Sequence, residues 1–339
     1  MAPHPSAPGR PNRAPRLSTQ LIIVVGVVFT SFSAIFVRLS EAPALAIAAW
    51  RMVFTTVLLA PLYLHERTRA RSRAPEAAGD DAAVPSRKAA ILLSLASGAF
   101  LALHFGLWIT SLSYTSVASS TVLVTTHPII VGLVGFVLLG EHLSLRASLY
   151  MLGGLAGSIV LVWGGFGEGD SALLGNVLAF LGAVTVAGYM LLGRVVRRRL
   201  SVNVYTMIVY STSAVMLVGA ALAAGVRLGP YPPREYLLFA ALALFCTLLG
   251  HSLFNWALRF VKPTVISTSI LGEPVIASIL ALVVFGEVPT ILTLVGGAII
   301  LASIYLFVRE DAASARREAA SGSERGGDAQ RTHDSPPVG

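Results

Sequence analysis

Ten apolar blocks, each about as long as a bilayer is thick, fill the chain from Gln20 to Val308. They are Gln20–Val37, Pro43–Leu64, Ala89–Leu112, Val117–Leu139, Ala147–Phe166, Leu173–Gly193, Val204–Ala224, Glu235–Leu258, Thr264–Gly286 and Pro289–Val308. Hydrocarbon offers no water to the backbone, so every N–H and C=O inside it must find a partner within the structure. Only α-helices and closed β-barrels meet that condition. The blocks exceed the length of a membrane strand, and none alternates strictly between apolar and polar residues. The expectation is therefore an all-α integral membrane protein with ten transmembrane helices. A soluble particle is excluded on composition too, because 55% of the 339 residues are hydrophobic and only 12% are charged.

The formal charge of +8 would suit a nucleic-acid partner. The basic residues, however, lie between the blocks, where membrane topology accounts for them and no nucleic acid is implied. With the N-terminus in the cytoplasm, 21 Lys and Arg fall on the inner side and three, Arg38, Arg227 and Arg234, on the outer; Arg51 lies within a span. Both termini are expected inside, with residues 1–19 and 309–339 as disordered cytoplasmic tails. No small-x-small cleavage pattern follows the first block, so it reads as a retained span of a multi-pass plasma or inner membrane protein. The single cysteine, Cys246, cannot form a disulfide within the chain, and no Cys/His spacing suggests a metal. No cofactor is implied.

The chain repeats itself at an offset of 146 residues, which carries His127-Pro128 onto Glu273-Pro274 and Gly140-Glu141 onto Gly286-Glu287. A glycine pair follows each, at Gly153-Gly154 and Gly296-Gly297. Two five-span repeats, residues 20–166 and 173–308, account for this order. Five is odd, so the second repeat enters the bilayer from the opposite side. Inverted repeats are the common plan of secondary transporters, whose substrate site lies at midplane between the halves.

These features resemble the ten-span EamA-type proteins of the drug/metabolite transporter superfamily. The resemblance rests on Ser113-Tyr114-Thr115-Ser116-Val117-Ala118-Ser119 leading to Pro128 and Gly140-Glu141. In the second half, Asn255-Trp256-Ala257-Leu258 leads to Gly272-Glu273-Pro274 and Gly286-Glu287. Arg51, in Trp50-Arg51-Met52, matches an arginine usual in the second span of that family; Met207 stands in its place in the second half. The resemblance implies efflux of amino acids or other small metabolites through a cavity lined mainly by spans 1, 3, 4, 6, 8 and 9.

Ionisable groups deep in the blocks are few, and each costs roughly 2.5–3.5 kcal/mol at the bilayer centre unless paired or hydrated. His127 and Glu273 are the sharpest pair, since both precede a proline at matched positions. They are candidates for a substrate or proton site; alternatively, they satisfy carbonyls that Pro128 and Pro274 free by kinking their helices. His104, Trp108 and Ser111 form a polar stripe on span 3, and Thr247, His251 and Asn255 form another on span 8. Either lines a cavity or bonds between helices. His104 and His251 miss the repeat offset by one residue, a rotation of about 100°, so different faces are expected for them. Arg51 is a candidate for a substrate carboxylate, with an ion pair to Glu273 or a structural cap favoured. Tyr189, Thr185, Ser31 and Ser33 are weaker cavity candidates. Glu141 and Glu287 read as helix stops and interfacial caps, and Arg194, Arg197, Arg198 and Arg199 as a topology anchor.

The reading is a secondary transporter, an exporter of amino-acid-like or drug-like small molecules by alternating access, with protons as a candidate coupling ion. Its partners are a small-molecule substrate and the lipid bilayer. An intramembrane enzyme acting on lipid-linked substrates and a passive channel are the alternatives. No His-Glu-x-x-His, Gly-x-Ser-x-Gly or P-loop pattern occurs to favour an enzyme or an ATP-driven pump. Oligomeric state and cargo are not written in the sequence.

Overall fold

The computed structural model describes residues 16–71, 85–139, 144–164, 170–257 and 272–307, with a few single residues between and after them. The expected tails lie almost wholly outside the described residues, as does Glu141. Regular structure among the described residues is helical throughout. The first half holds α1 (Arg16–Ser31), α2 (Ser33–Leu39), α3 (Ala44–Arg71), α4 (Arg87–Ser111), α5 (Val117–Val124), α6 (His127–Leu139) and α7 (Leu145–Gly164). The second holds α8 (Asp170–Val196), α9 (Val202–Ala223), α10 (Pro233–Ala241), a π-helix (Leu242–His251), α11 (Ser252–Ala257), α12 (Gly272–Phe285) and α13 (Ile291–Phe307). Seven helical segments among the described residues are long and apolar enough to cross a membrane, and α12 and α13 are shorter apolar helices. The chain is an all-α membrane protein.

Three of the apolar blocks are not the single helices that hydropathy suggests. The first breaks at Phe32, between α1 and α2, and the fourth breaks at Thr125 and Thr126, between α5 and α6. At the second break both threonine hydroxyls turn back onto their own helix, Thr125 to the Val122 carbonyl and Thr126 to that of Leu123, each at 2.8 Å. The eighth block passes through the wide π turns, where the Thr247 hydroxyl reaches back five residues to the Leu242 carbonyl at 3.1 Å.

Small residues set how closely the helices approach. α4 lies antiparallel along α8, with Ser97 opposite Tyr189 and His104 opposite Gly182. A β-carbon on Gly98 would stand 2.6 Å from the Thr212 side chain and 2.8 Å from the Val209 carbonyl, so α9 touches α4 backbone there. Gly157 of α7 likewise meets the Gly296 carbonyl of α13, where a β-carbon would fall at 3.0 Å. Large apolar residues turn outward to the lipid. On α12, Ala277 and Ala281 are buried while Ile279 and Val283 are exposed. That arrangement fits a solvent as apolar as the side chains, in which helices associate by close packing.

At one end of the bundle, polar side chains tie the halves together. Gly286, at φ +68°, ends α12, and the next residue, Glu287, accepts the Val117 backbone N–H at the start of α5 at 2.9 Å. The expected stop and cap are thus both present, and the cap serves a helix of the other half. The buried Glu235 carboxylate of the second half accepts from Ser40 Oγ and the Glu41 amide of the first, and within the first half Arg38 donates to the Leu112 carbonyl at 2.7 Å.

Candidate functional site

A cavity with about 60 Å³ of space for the centre of a water-sized molecule lies where six segments meet. Thr30 and Ser33 reach it from either side of the α1–α2 break. α4 contributes His104, Phe105 and Trp108; the α5–α6 break contributes Val124, Thr125 and His127. Val186, Tyr189 and Met190 of α8 face it, as do His251, Phe254 and Asn255 around the end of the π-helix. Ile266, Ile270 and Glu273 complete the wall. Of the polar positions singled out, His127, Glu273, His104, Trp108, His251, Asn255, Tyr189 and Ser33 therefore surround one space, and Arg51 is not in its wall.

Pro128 does not kink a continuous helix: it sits in the first turn of a new one, α6, where a missing N–H costs no intrahelical bond. Pro274 lies in α12, and the residue before Gly272 is outside the described residues. Pro128 nevertheless leaves the Val124 carbonyl, four residues back, without its usual donor, and His127 Nδ1 supplies one at 3.2 Å. A carbonyl only accepts, so Nδ1 carries the proton and Nε2 is left as a lone-pair acceptor. His127 is 4% exposed, and its Nε2 has no hydrogen-bond partner among the described residues. His104 repeats the logic: Nδ1 donates to the Gly182 carbonyl at 3.0 Å, which leaves its Nε2 as an acceptor. Its ring stacks on Trp108 with centroids 6.2 Å apart. Trp108 Nε1–H is buried and also without a partner among the described residues. Glu273 Oε2 lies 3.1 Å from Thr30 Oγ1, whose single proton also has the Val27 carbonyl at 3.0 Å.

Arg51 stands behind this wall rather than in it. It is fully buried, with Nε donating to Thr247 Oγ1 and Nη1 to Ser33 Oγ, both at 2.9 Å. Its guanidinium lies 4.0 Å from the centre of the Phe105 ring. The expected ion pair with Glu273 is absent; the salt bridge found among the described residues joins Arg234 to Glu41. Two hydroxyls and an aromatic face hold the cation instead, a contact worth about 2 kcal/mol or more when desolvated.

His104 and His251 line the same cavity, against the expectation of different faces. His251 closes the π-helix, whose i→i+5 turns advance less than the roughly 100° per residue of an α-helix, so the rotation reckoned for two α-helices does not carry over to this pair. The His251 ring rests between Phe105 and Phe254, edge-to-face with each. Asn255 accepts the Tyr189 hydroxyl at 2.8 Å and approaches Tyr210 Oη at 3.4 Å.

Other expectations need correction. Thr247 serves Arg51, Ser111 bonds to Ser120 and the Trp108 carbonyl, and Ser31 and Thr185 turn back onto their own helices. None of these four lines the cavity. Arg197 is not merely a surface anchor: it is buried and donates to the backbone carbonyls of Asn255 and Leu200. Thr30, Phe105, Phe254 and Tyr210 escaped the sequence reading, because hydroxyl and aromatic side chains are ordinary inside membrane helices. No group of three His, Cys, Asp or Glu among the described residues is arranged to hold a metal ion.

Comparison with known proteins bears on what such a cavity serves. A family model described as the EamA-like transporter family matches the chain twice in succession, over residues 17–163 and 173–309. An uncharacterized transporter of Archaeoglobus fulgidus is 22% identical over 294 residues, which cover 85% of this chain and 96% of that protein. A protein of known crystal structure has the same fold, with a TM-score of 0.58 at 18% identity over 86% of this chain and 96% of its own.

Proposed function

The chain belongs to the EamA-like transporter family, and from that premise we propose that it is a secondary transporter that exports a small metabolite by alternating access. Membership and the archaeal relative point to a membrane transporter rather than an enzyme. Export, the coupling ion and the cytoplasmic placement of both termini in a plasma or inner membrane are our own extension of that.

One observation carries the proposal: His127 and Glu273, at matched positions before matched prolines, both stand at the wall of one shared cavity. A broken helix is tolerated at membrane depth where it lines such a cavity, and half-helix ends there are the usual seat of substrate and ion sites. Glu273 is within reach of one hydroxyl and His127 is bound to one carbonyl, so each keeps capacity for a proton or a cargo group. In this scheme the binding candidates are His127, Glu273, His104, Trp108, His251, Asn255 and Tyr189, with Arg51 as a structural cation.

The test is substrate flux in proteoliposomes, with and without an imposed pH gradient. Glu273→Gln keeps the shape of the side chain and removes its charge. It should insert and bind, and support exchange across the membrane, but lose gradient-driven flux. Gradient-driven flux at the wild-type level, at equal protein, rejects the coupling role of Glu273.

A further inference from the structure

The hydrogen-bonding inventory of the cavity is lopsided. The lining hydroxyls of Thr125 and Tyr189 donate within the protein, to the Val122 carbonyl and Asn255, and the single Thr30 proton has both the Val27 carbonyl, at 3.0 Å, and Glu273 Oε2, at 3.1 Å, within reach. What remains on offer is mainly acceptors. His104 and His127 each commit Nδ1–H to a backbone carbonyl and keep an Nε2 lone pair, and the Glu273 carboxylate has spent at most the one hydrogen bond from Thr30. His127 Nε2 is the strongest sign of this, being buried at the cavity wall and without a partner among the described residues. Buried polar groups are normally satisfied, so a buried acceptor left free on a cavity wall points to a donor brought by the ligand. N–H donors on the same wall are Trp108 Nε1, without a partner among the described residues, and one nitrogen of the His251 imidazole.

The charge balance has the same bias. The negative group lines the cavity, whereas the nearest buried cation, Arg51, lies outside the lining, hydrogen-bonded to Ser33 and Thr247 and against the Phe105 ring. A cargo carboxylate would meet free acceptors and, among the described residues, no lining cation. A cargo ammonium would meet a carboxylate, imidazole lone pairs and the aromatic faces of Phe105, Trp108 and Phe254, which attract cations. The apolar side chains Val124, Val186, Met190, Ile266 and Ile270 leave the rest of the space to hydrocarbon.

We infer that the cargo of this cavity is an organic primary amine, taken as its ammonium, with an apolar or aromatic body and no obligatory carboxylate. This rests on the transport reading above and narrows it. Glu273 and the Nε2 atoms of His104 and His127 receive the ammonium protons, and Trp108 Nε1–H serves a hydroxyl or carbonyl elsewhere on the molecule. Phe105 stands between the cavity and the Arg51 cation.

Three probes share one ring and differ only in charged groups: 2-phenylethylammonium, phenylalanine and 3-phenylpropionate. Their binding to the full chain in detergent is measured by calorimetry or by protection against heat. The amine should bind at least about tenfold more tightly than the zwitterion, and the carboxylate least, a step of about 1.4 kcal/mol between the first two. Glu273→Gln should erase that ranking while the protein stays folded, as judged by its melting. His127→Phe, which keeps a ring and removes the acceptor, should weaken the amine more than the carboxylate. Equal or tighter binding of the zwitterion or the carboxylate overturns the inference, and so does a folded wild type that binds none of the three. Failure of the transport reading looks different: amine binding would persist, yet labelled amine would not cross proteoliposomes in either direction.

Discussion

Thr247→Val isolates what holds a positive charge inside the membrane. Thr247 Oγ1 accepts from Arg51 Nε at 2.9 Å and donates to the Leu242 carbonyl at 3.1 Å, and valine removes both bonds at nearly constant volume. In a soluble protein the charged bond would be worth about 1.5–3 kcal/mol and the neutral one about 0.5–1.5. Within membranes such bonds average nearer 0.6 kcal/mol, with a maximum near 1.7, because the unfolded chain finds other partners there. A loss of about 2 kcal/mol is therefore expected. At roughly 2–4 °C per kcal/mol for a large domain, the melting temperature should fall by about 4–8 °C.

Arg51 Nη2 is already unpartnered among the described residues, so the cation has little in reserve once Nε is also stranded. Arg51→Met should be milder than its two hydrogen bonds suggest, since it removes the charge that needs them. In the double variant Thr247→Val no longer strands anything, and the two losses should fall short of additive by about 1–2 kcal/mol. The chain carries its own reporter: Cys246, its only cysteine, is fully buried beside this site. A thiol-reactive fluorogenic dye will label it as the protein melts in detergent. Unchanged melting of Thr247→Val, or strictly additive losses in the double variant, would refute the view that Arg51 is a cation held by these two hydroxyls and a ring.

Two further outcomes are expected. Glu287→Ala leaves the Val117 N–H without its carboxylate while Ser116 still caps Ser119, so melting should fall by roughly 1 kcal/mol equivalent; no change would mean that the carboxylate does not join the halves. Cysteines placed at Ser72 and Ser323 should resist an impermeant thiol reagent in intact cells, as the 21-to-3 division of basic residues requires, and labelling of either from outside would reverse the orientation.

Helical membrane architecture was legible because hydropathy is a long-range signal, repeated over about 20 residues per span. Breaks within the spans were not. Thr125 and Thr126 read as neutral members of an apolar run, and Phe32 as an ordinary one, so nothing in the pattern marks where α1 and α5 stop. Ionisable residues stood out by their cost, and His104, His127, His251 and Glu273 do surround one cavity. Arg51 stood out for the same reason, but its partners did not. The choice between carboxylate and hydroxyl depends on how α2 and the π-helix lie against α3, which spacing along the chain does not encode. Phe105 and Phe254 look like any other apolar residue until His251 is seen between them.

The π-helix has a bearing on how this chain can change length. In an α-helix an inserted or deleted residue swings everything beyond it by about 100°, which in a bilayer would turn lining toward lipid. Wide turns confine that disturbance to the stretch from Leu242 to His251, and Asn255 still meets Tyr189 beyond it. Deleting one residue there, such as Ala243, should tighten the turns toward α geometry at moderate cost. A deletion at an equivalent depth of α4, which has no such slack, would carry its lining out of register along the whole contact with α8. Length along this span is therefore adjustable at one place, and two halves that share a cavity need not share a residue count.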